Sequence, residues 1–307
     1  MNGVLIINKP SDYTSFDVVA VIRKLSGQKK IGHTGTLDPM ATGVLPLLLG
    51  SAAKAQGILP ETNKKYIAGF RMGIATDTLD ITGTVTEKYD CNFTKDELLN
   101  AIENFKGEQQ QIPPMYSAVK KNGKKLYELA RQGIEVERES RKIFIYKLNL
   151  LEYNENDFSG LIEVECSKGT YIRSLICDIG RYLNCSGIMT SLCRINACGY
   201  DISQSIKLDD IRKLFSEENK CLKSNPIENM LLPTESIFSN YRYVQVSEAQ
   251  SKRFSNGGNL SLERTALKSS YTDGEIIRVK SQNGKFLGLG IIDLSLKELK
   301  IYKLFCD

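Results

Sequence analysis

Asp38 stands in the stretch GHTGTLDPMATGVLP (residues 32–46), between two glycine–threonine pairs and directly before a proline. The only histidine of the chain, His33, lies five residues upstream in the same stretch. A carboxylate so close to an imidazole suggests nucleophilic or general acid–base work. The segment holds too much glycine for a helix, so both groups belong to a loop. A plainer use is open on the same residues, because Asp before Pro shapes turns: Asp bonds local backbone and Pro fixes φ. The stretch also lacks the G-K-[ST] end of a phosphate-binding P-loop and the G-x-G-x-x-G spacing of a dinucleotide fold.

Partners for the carboxylate come from four distant segments. NKPSDYTS (8–15) carries Lys9, Pro10, Thr14 and Ser15. KKYIAGFRMGIATDTLDITG (64–83) carries Tyr66, Thr76, Asp77 and Asp80. QIPPMYSAVKKNGKKLYELARQG (111–133) is strongly basic, and SKGTYIRSLICDIG (167–180) carries Tyr171 and Arg173. In this order the five segments resemble the tRNA pseudouridine-55 synthases of the TruB type. The likeness runs from residue 8 to about 200, and the tail resembles a PUA domain, a small RNA-binding barrel. Two positions depart from the family pattern. Asp12 replaces a usual glycine, so the first loop is expected to bend differently. SLCRINACGYDIS (191–203) has Cys193 for an arginine and Tyr200 for a phenylalanine.

The resemblance implies an isomerase that breaks the N1–C1′ bond of a uridine, turns the uracil and rejoins it through C5. No atom is gained or lost, so neither a metal nor another cofactor is implied. Asp38 is then the nucleophile, attacking either C1′ of the sugar or C6 of the ring. Arg173 pairs with that carboxylate, Tyr66 stacks on the uracil, and Tyr171 closes the pocket and helps move the C5 proton. Leu192 is an apolar wall. A uridine inside a folded loop must be pulled out before it is reached. His33 is implied to fill the space of flipped nucleotides by stacking, and the rival general-base role predicts a rate that titrates near pH 6.5. Lys9, Pro10 and Arg194 are expected to contact the RNA. Lys120, Lys121, Lys124, Lys125 and Arg131 are expected to clasp its phosphates from a flexible insertion at about 107–147. The partner implied is the T-arm stem-loop of tRNA. No protein partner is required, a monomer is the simplest state, and two alternatives stay open: an RNA-binding protein without chemistry, and a guide-RNA-dependent synthase.

The elements that must hold these residues are legible in outline. SFDVVAVIRKLSG reads as a helix capped by Ser15 and stopped at Gly27. TKDELLNAIENFKG reads as a second, with a Thr94–Glu97 capping box, a Leu98–Ile102–Phe105 stripe and an end at Gly107. LIEVEC (161–166) alternates as a strand, and TYIRSLICDIGRYL continues as a helix through Leu175, Ile176, Ile179 and Leu183. Residues 209–236 read as a helix followed by a linker. Strands after them, with an Asn283–Gly284 hairpin turn, predict a small β-barrel. There is no βαβ rhythm. The expected architecture is therefore α+β, with a mixed, mainly antiparallel central sheet and flanking helices in residues 1–236, and a PUA-like barrel in 237–307.

Composition agrees with a polyanionic partner. The 307 residues carry a formal charge of +5, and the basic residues cluster. Residues 115–147 hold nine Lys/Arg against four Glu, and residues 239–307 hold eleven basic against seven acidic residues. Solvated surface is the bland reading, and attraction of phosphates the sharper one. Eight cysteines include no C-x-x-C pair, and one histidine builds no His-rich metal site. The start MNGVLIINKP is no secretory signal and no stretch is apolar enough to span a bilayer, so a cytoplasmic protein with reduced thiols and no membrane partner is expected.

Overall fold

The computed structural model describes residues 1–215, 225–267 and 271–306. Its larger sheet has ten strands. They are β1 (Gly3–Lys9), β2 (Ile31–His33), β3 (Thr42–Leu49), β4 (Lys64–Met72), β7 (Gly107–Gln111), β10 (Arg141–Asn154), β11 (Ser159–Cys166), β12 (Gly187–Ala197), β13 (Tyr200–Asp201) and β14 (Ile206–Lys207). The main order is β14-β1-β3-β12-β4-β11-β10-β7, with β2 beside β3 and β13 beside β12. Only β1–β14 and β3–β12 pair in parallel, so the sheet is mixed and mainly antiparallel. Two short hairpins stand apart, β5 (Ile74–Thr76) with β6 (Val85–Lys88), and β8 (Lys120–Lys121) with β9 (Lys124–Lys125).

One face of this sheet is covered by α1 (Ser15–Ser26), α2 (Lys95–Asn104) and α4 (Ile172–Tyr182). The short α3 (Leu126–Ala130) belongs to the insertion, and α5 (Leu208–Lys213) follows β14. Strand alternation explains the two-sided burial of β1 and β3. Leu5, Ile7, Leu45, Leu47 and Leu49 point to the helices. Val4, Ile6, Val44 and Leu48 point the other way, against Phe238, Leu289 and Phe305. This second core joins the sheet to a curled five-stranded one: β15 (Tyr243–Gln245), β16 (Leu260–Ser261), β17 (Ile276–Lys280), β18 (Phe286–Asp293) and β19 (Glu298–Leu304), with α6 (Glu248–Ser255). Gly284 at φ +79 closes the β17–β18 hairpin, at the Asn-Gly pair expected to form its turn.

Local chemistry sets the helix ends. Thr14, not Ser15, caps α1: its hydroxyl accepts from Asp17 N–H while the Asp17 carboxylate accepts from Thr14 N–H. Ser15 is freed for another task, described below. Gly27, left-handed at φ +68, ends α1 as expected. The Thr94–Glu97 box opens α2, but this helix ends at Phe105, two residues before Gly107 begins β7. The helix read after residue 209 is α5, and part of the following linker lies outside the described residues.

The insertion rises from the β7–β10 pair at the edge of the sheet. Its β8–β9 hairpin turns at Asn122 and Gly123, both left-handed, as a two-residue hairpin loop demands.

Candidate active site

Asp38 sits on the loop 34–41 between β2 and β3, and four separate elements hold that loop by its backbone. Ser15 at the start of α1 accepts from Leu37 N–H at 2.9 Å through Oγ. Lys9 at the end of β1 donates to Pro39 O at 3.0 Å, while its other bonds go to Pro10 O and Tyr13 O. Asp12 N–H donates to Pro39 O at 2.9 Å. Arg194 on β12 reaches Val44 O, Gly35 O and Thr36 O. Gly43 makes that approach possible, since a Cβ there would stand 2.3 Å from Arg194 O.

With the loop's carbonyls thus engaged, the Asp38 carboxylate points to one cation. Arg173, in the first turn of α4, donates from Nε to Oδ2 at 2.9 Å and from Nη2 to Oδ1 at 3.3 Å. The pair is nearly two-pronged, which fixes the plane of the carboxylate. Asp38 keeps 35% of its side-chain surface exposed, whereas Arg173 keeps 5%. The guanidinium is itself held from three sides. Nη1 donates to Thr78 O at 2.8 Å and lies 3.7 Å from Asp80 Oδ2; Nη2 donates to Tyr116 O at 2.9 Å.

Asp80 holds a position in the second motif, and its task becomes visible only here. It is 5% exposed, and its other oxygen accepts from Thr78 Oγ1, Thr82 N–H and Thr82 Oγ1. A buried cation needs such a counter-charge, and Asp38 alone, open to solvent, supplies only part of it. The spacing T-D-T-x-D-x-T held the signal, since Asx-type turns place hydroxyls on a carboxylate. Between them Leu79 is left-handed at φ +62, a costly conformation for a leucine, which places the Thr78 carbonyl on Arg173.

Tyr66 on β4 is 6% exposed and lies directly across the ladder from Arg194 and from Val164. Burial raises its hydroxyl to about 12, so it is a neutral phenol at any working pH. Leu37 and Leu192 join the same core, and Leu192 is 8% exposed. Tyr171 is half-buried at the N-cap of α4.

Two expected RNA contacts lie elsewhere than at the surface. Lys9 and Arg194 are both 0% exposed and spend their donors on the carbonyls named above. They are internal struts of the loop 34–41, because a loop packed over strand ends leaves carbonyls that only long cationic side chains reach. Burial brings the Lys9 ammonium down to about 8. Pro10 lines a cavity of about 220 Å³ with Asn8, Thr42 and Lys207. His33 is half-buried on β2, and burial, then the Arg194 charge, push its imidazole below the usual value. Its Nδ1 has no hydrogen-bond partner among the described residues.

In the insertion, Lys120, Lys121, Lys124 and Arg131 are exposed and Lys125 is half-buried. Lys121 donates to Glu137 O, while Lys125 and Arg131 flank the Tyr127 ring at 5.3 and 5.4 Å. Of the two departures, Asp12 adopts φ +64, in the left-handed region that favours glycine. Cys193 is half-buried on β12, and Tyr200 packs in the second core with its hydroxyl 2.9 Å from Ser236 Oγ.

Comparison with known proteins gives this geometry a family. The TruB family pseudouridylate synthase N-terminal domain matches residues 23–172, and the tRNA pseudouridylate synthase B C-terminal domain matches residues 173–239. A tRNA pseudouridine synthase B of Clostridium tetani is 45% identical over 94% of this chain and 95% of its own. The chain belongs to the TruB family of pseudouridylate synthases. A second relative, the tRNA pseudouridine synthase B of Clostridium perfringens, is 42% identical over the whole of both chains. The TruB fold also aligns with a solved Cbf5–Nop10–Gar1 complex at TM-score 0.74 and 24% identity, covering 99% of this chain and 85% of that one. A solved H/ACA particle bound to a substrate RNA aligns at TM-score 0.73 and 23% identity, again covering 99% and 85%. Both are likenesses of fold.

Proposed function

We propose that the protein isomerises uridine 55 in the T-loop of tRNA to pseudouridine, with Asp38 as the nucleophile. The observation that carries this is the Asp38 carboxylate itself. It is partly exposed on the backbone-clamped loop 34–41, and it is oriented by a buried arginine. A carboxylate so placed meets an extruded nucleotide with little reorganisation.

In the reaction the N1–C1′ bond breaks, uracil turns in the pocket, and a C5–C1′ bond forms. The C5 hydrogen then leaves as a proton, N1 takes one up from solvent, and the Asp38 carboxylate is released. Both C1′ and C6 are electrophilic enough for the carboxylate. Tyr66, neutral and fixed, offers the base a surface to turn against, and Leu192 keeps water from its edge. Tyr171 helps carry the C5 proton away. His33, flat and half-buried beside the loop, takes the place of a flipped base in the stack. Exposed lysines of the insertion meet the phosphates of the T-arm.

Residues 1–236 act as the catalytic part and 237–307 as a PUA-like RNA-binding part. The two share a core through Phe238 and Phe305, so cutting the tail would bare Val4 and Ile6. The enzyme works as a monomer, without a protein partner, in the cytoplasm where its tRNA is. No described helix is long and apolar enough to cross a membrane.

Tritium release from a T-arm stem-loop carrying C5-labelled uridine tests the reading. The native chain should release the label without guide RNA or accessory protein, and Asp38→Asn should bind the RNA but release none. RNA binding without release by the native chain would favour a binding protein without chemistry.

A further inference from the structure

Gln111 closes β7 at the foot of the insertion, and it is 3% exposed although its side chain is polar. The ladder gives no reason for a carboxamide there, because the pairing with Arg141 is a main-chain affair. The side chain instead spans to the main chain of Tyr171. Its Oε1 accepts from Tyr171 N–H at 2.8 Å, and its Nε2 donates to Tyr171 O at 3.0 Å. Tyr171 is extended, at φ −102 and ψ 110, so the carboxamide meets it as a neighbouring strand would.

This contact has a physical consequence for the ring. An N-cap residue has no intrahelical use for its own N–H, so nothing in α4 itself holds the Tyr171 N–H. The two bonds from Gln111 fix the main chain there, and with it the direction of the Cα–Cβ bond. The insertion touches the first turn of α4 twice more, through Tyr116 O on Arg173 and Ile112 O on Ser174 Oγ.

We infer that Gln111 is a positioning residue for the isomerisation, aiming the Tyr171 ring and tying it to the foot of the RNA-clasping insertion. The inference rests on the reading of Tyr171 given above. In that step the C5–H bond breaks and its electron pair returns to the ring. The proton leaves for solvent through the Tyr171 hydroxyl, which accepts at its oxygen while passing its own proton on. A ring misaimed by a fraction of an ångström slows this transfer and leaves RNA binding untouched.

The test uses the full chain and a T-arm stem-loop with protium or deuterium at uridine C5, under single-turnover conditions. Gln111→Met removes both bonds at nearly constant volume, and Gln111→Glu keeps the acceptor for Tyr171 N–H. Gln111→Met should bind RNA within about twofold of native while its rate falls roughly 10- to 100-fold. The deuterium isotope effect should rise, because loss of the C5 hydrogen becomes the slow step, and Gln111→Glu should fall between Gln111→Met and native. Should Gln111→Met melt early, Gln111→Glu alone carries the rate and isotope comparison. A native rate, or a slow rate with an unchanged isotope effect, overturns the inference. Tyr171→Phe separates the two claims. A native rate for Tyr171→Phe overturns the reading of Tyr171, and the inference with it. A slow Tyr171→Phe beside a native-rate Gln111→Met overturns the inference alone.

Discussion

Arg173 Nε lies 2.9 Å from Asp38 Oδ2, and the two residues differ sharply in burial: the cation is sealed in while the carboxylate stays open. The protein therefore fixes the charge that orients and exposes the charge that reacts. Arg173→Lys keeps a positive charge but loses the planar fork that also grips Thr78 O and Tyr116 O. The expected result is a bound-state rate lowered roughly 100-fold with RNA affinity nearly unchanged, measured by single-turnover tritium release and filter binding.

Lys9 is a strut, and its removal should read as one. Lys9→Met takes this donor from the carbonyls of Pro10 and Tyr13 and leaves Pro39 O with Asp12 N–H alone. The expected loss of folding stability is about 3 kcal/mol, read from urea unfolding, with the salt dependence of RNA binding unchanged. A pH series adds a sign. Lys9 gives up its proton near 8 when folded and near 10.5 when unfolded. Its charge thus costs stability below pH 8, and that cost fades as pH rises through this window. Lys9→Met should flatten that rise.

The lysines of the insertion should behave in the opposite way. Replacing Lys120, Lys121, Lys124 and Lys125 together by Ala should lower the slope of log K against log salt by roughly 0.9 for each duplex phosphate that they neutralise. The bound-state rate should hold. An unchanged slope would move the phosphate-binding surface elsewhere.

His33 offers a test that few proteins allow, since no other histidine titrates. Its folded-state proton affinity lies below the ordinary value, so the unfolded chain takes the proton first as pH falls through about 6.5. Stability is lost on that acid side, and His33→Phe should flatten the loss in thermal melts between pH 5 and 7 (about the window of an ordinary imidazole). The same variant should keep its bound-state rate, because a stacking ring survives; an inflection near pH 6.5 in the native rate that vanishes in His33→Phe would restore the general-base role.

Asp12 tolerates a left-handed backbone that glycine takes freely. Asp12→Gly should therefore leave the Pro39 hydrogen bond intact and change stability by about 1 kcal/mol or less, with relief of local strain offset by added chain entropy. A larger loss in a thermal melt would mean that the Asp12 carboxylate matters to its neighbour Lys9.

By itself the sequence determined what is local or covalently ordered. The capping box at Thr94–Glu97 and the stop at Gly27 rest on bonds within one turn, and the Asn283–Gly284 turn on the backbone freedom of a single glycine. The order of five motifs carried the family resemblance, and that resemblance implied the pairing of Asp38 with Arg173. Where charge would end up was another matter. Lys9 and Arg194 are expected from the sequence to contact RNA, because a chain of letters shows their charge and not the carbonyls that come to face them. Those carbonyls gather only when the loop 34–41 is laid across β1 and β12, and the burial of both cations follows from that crossing. Gln111 is the same case in neutral form: its partner is main chain sixty residues away, an atom every residue carries, and so nothing in the sequence singles it out. Tertiary structure alone brought Gln111, Tyr171, Arg173 and Asp38 into one linked set, because hydrogen bonds between backbone and distant side chains exist only in the folded state.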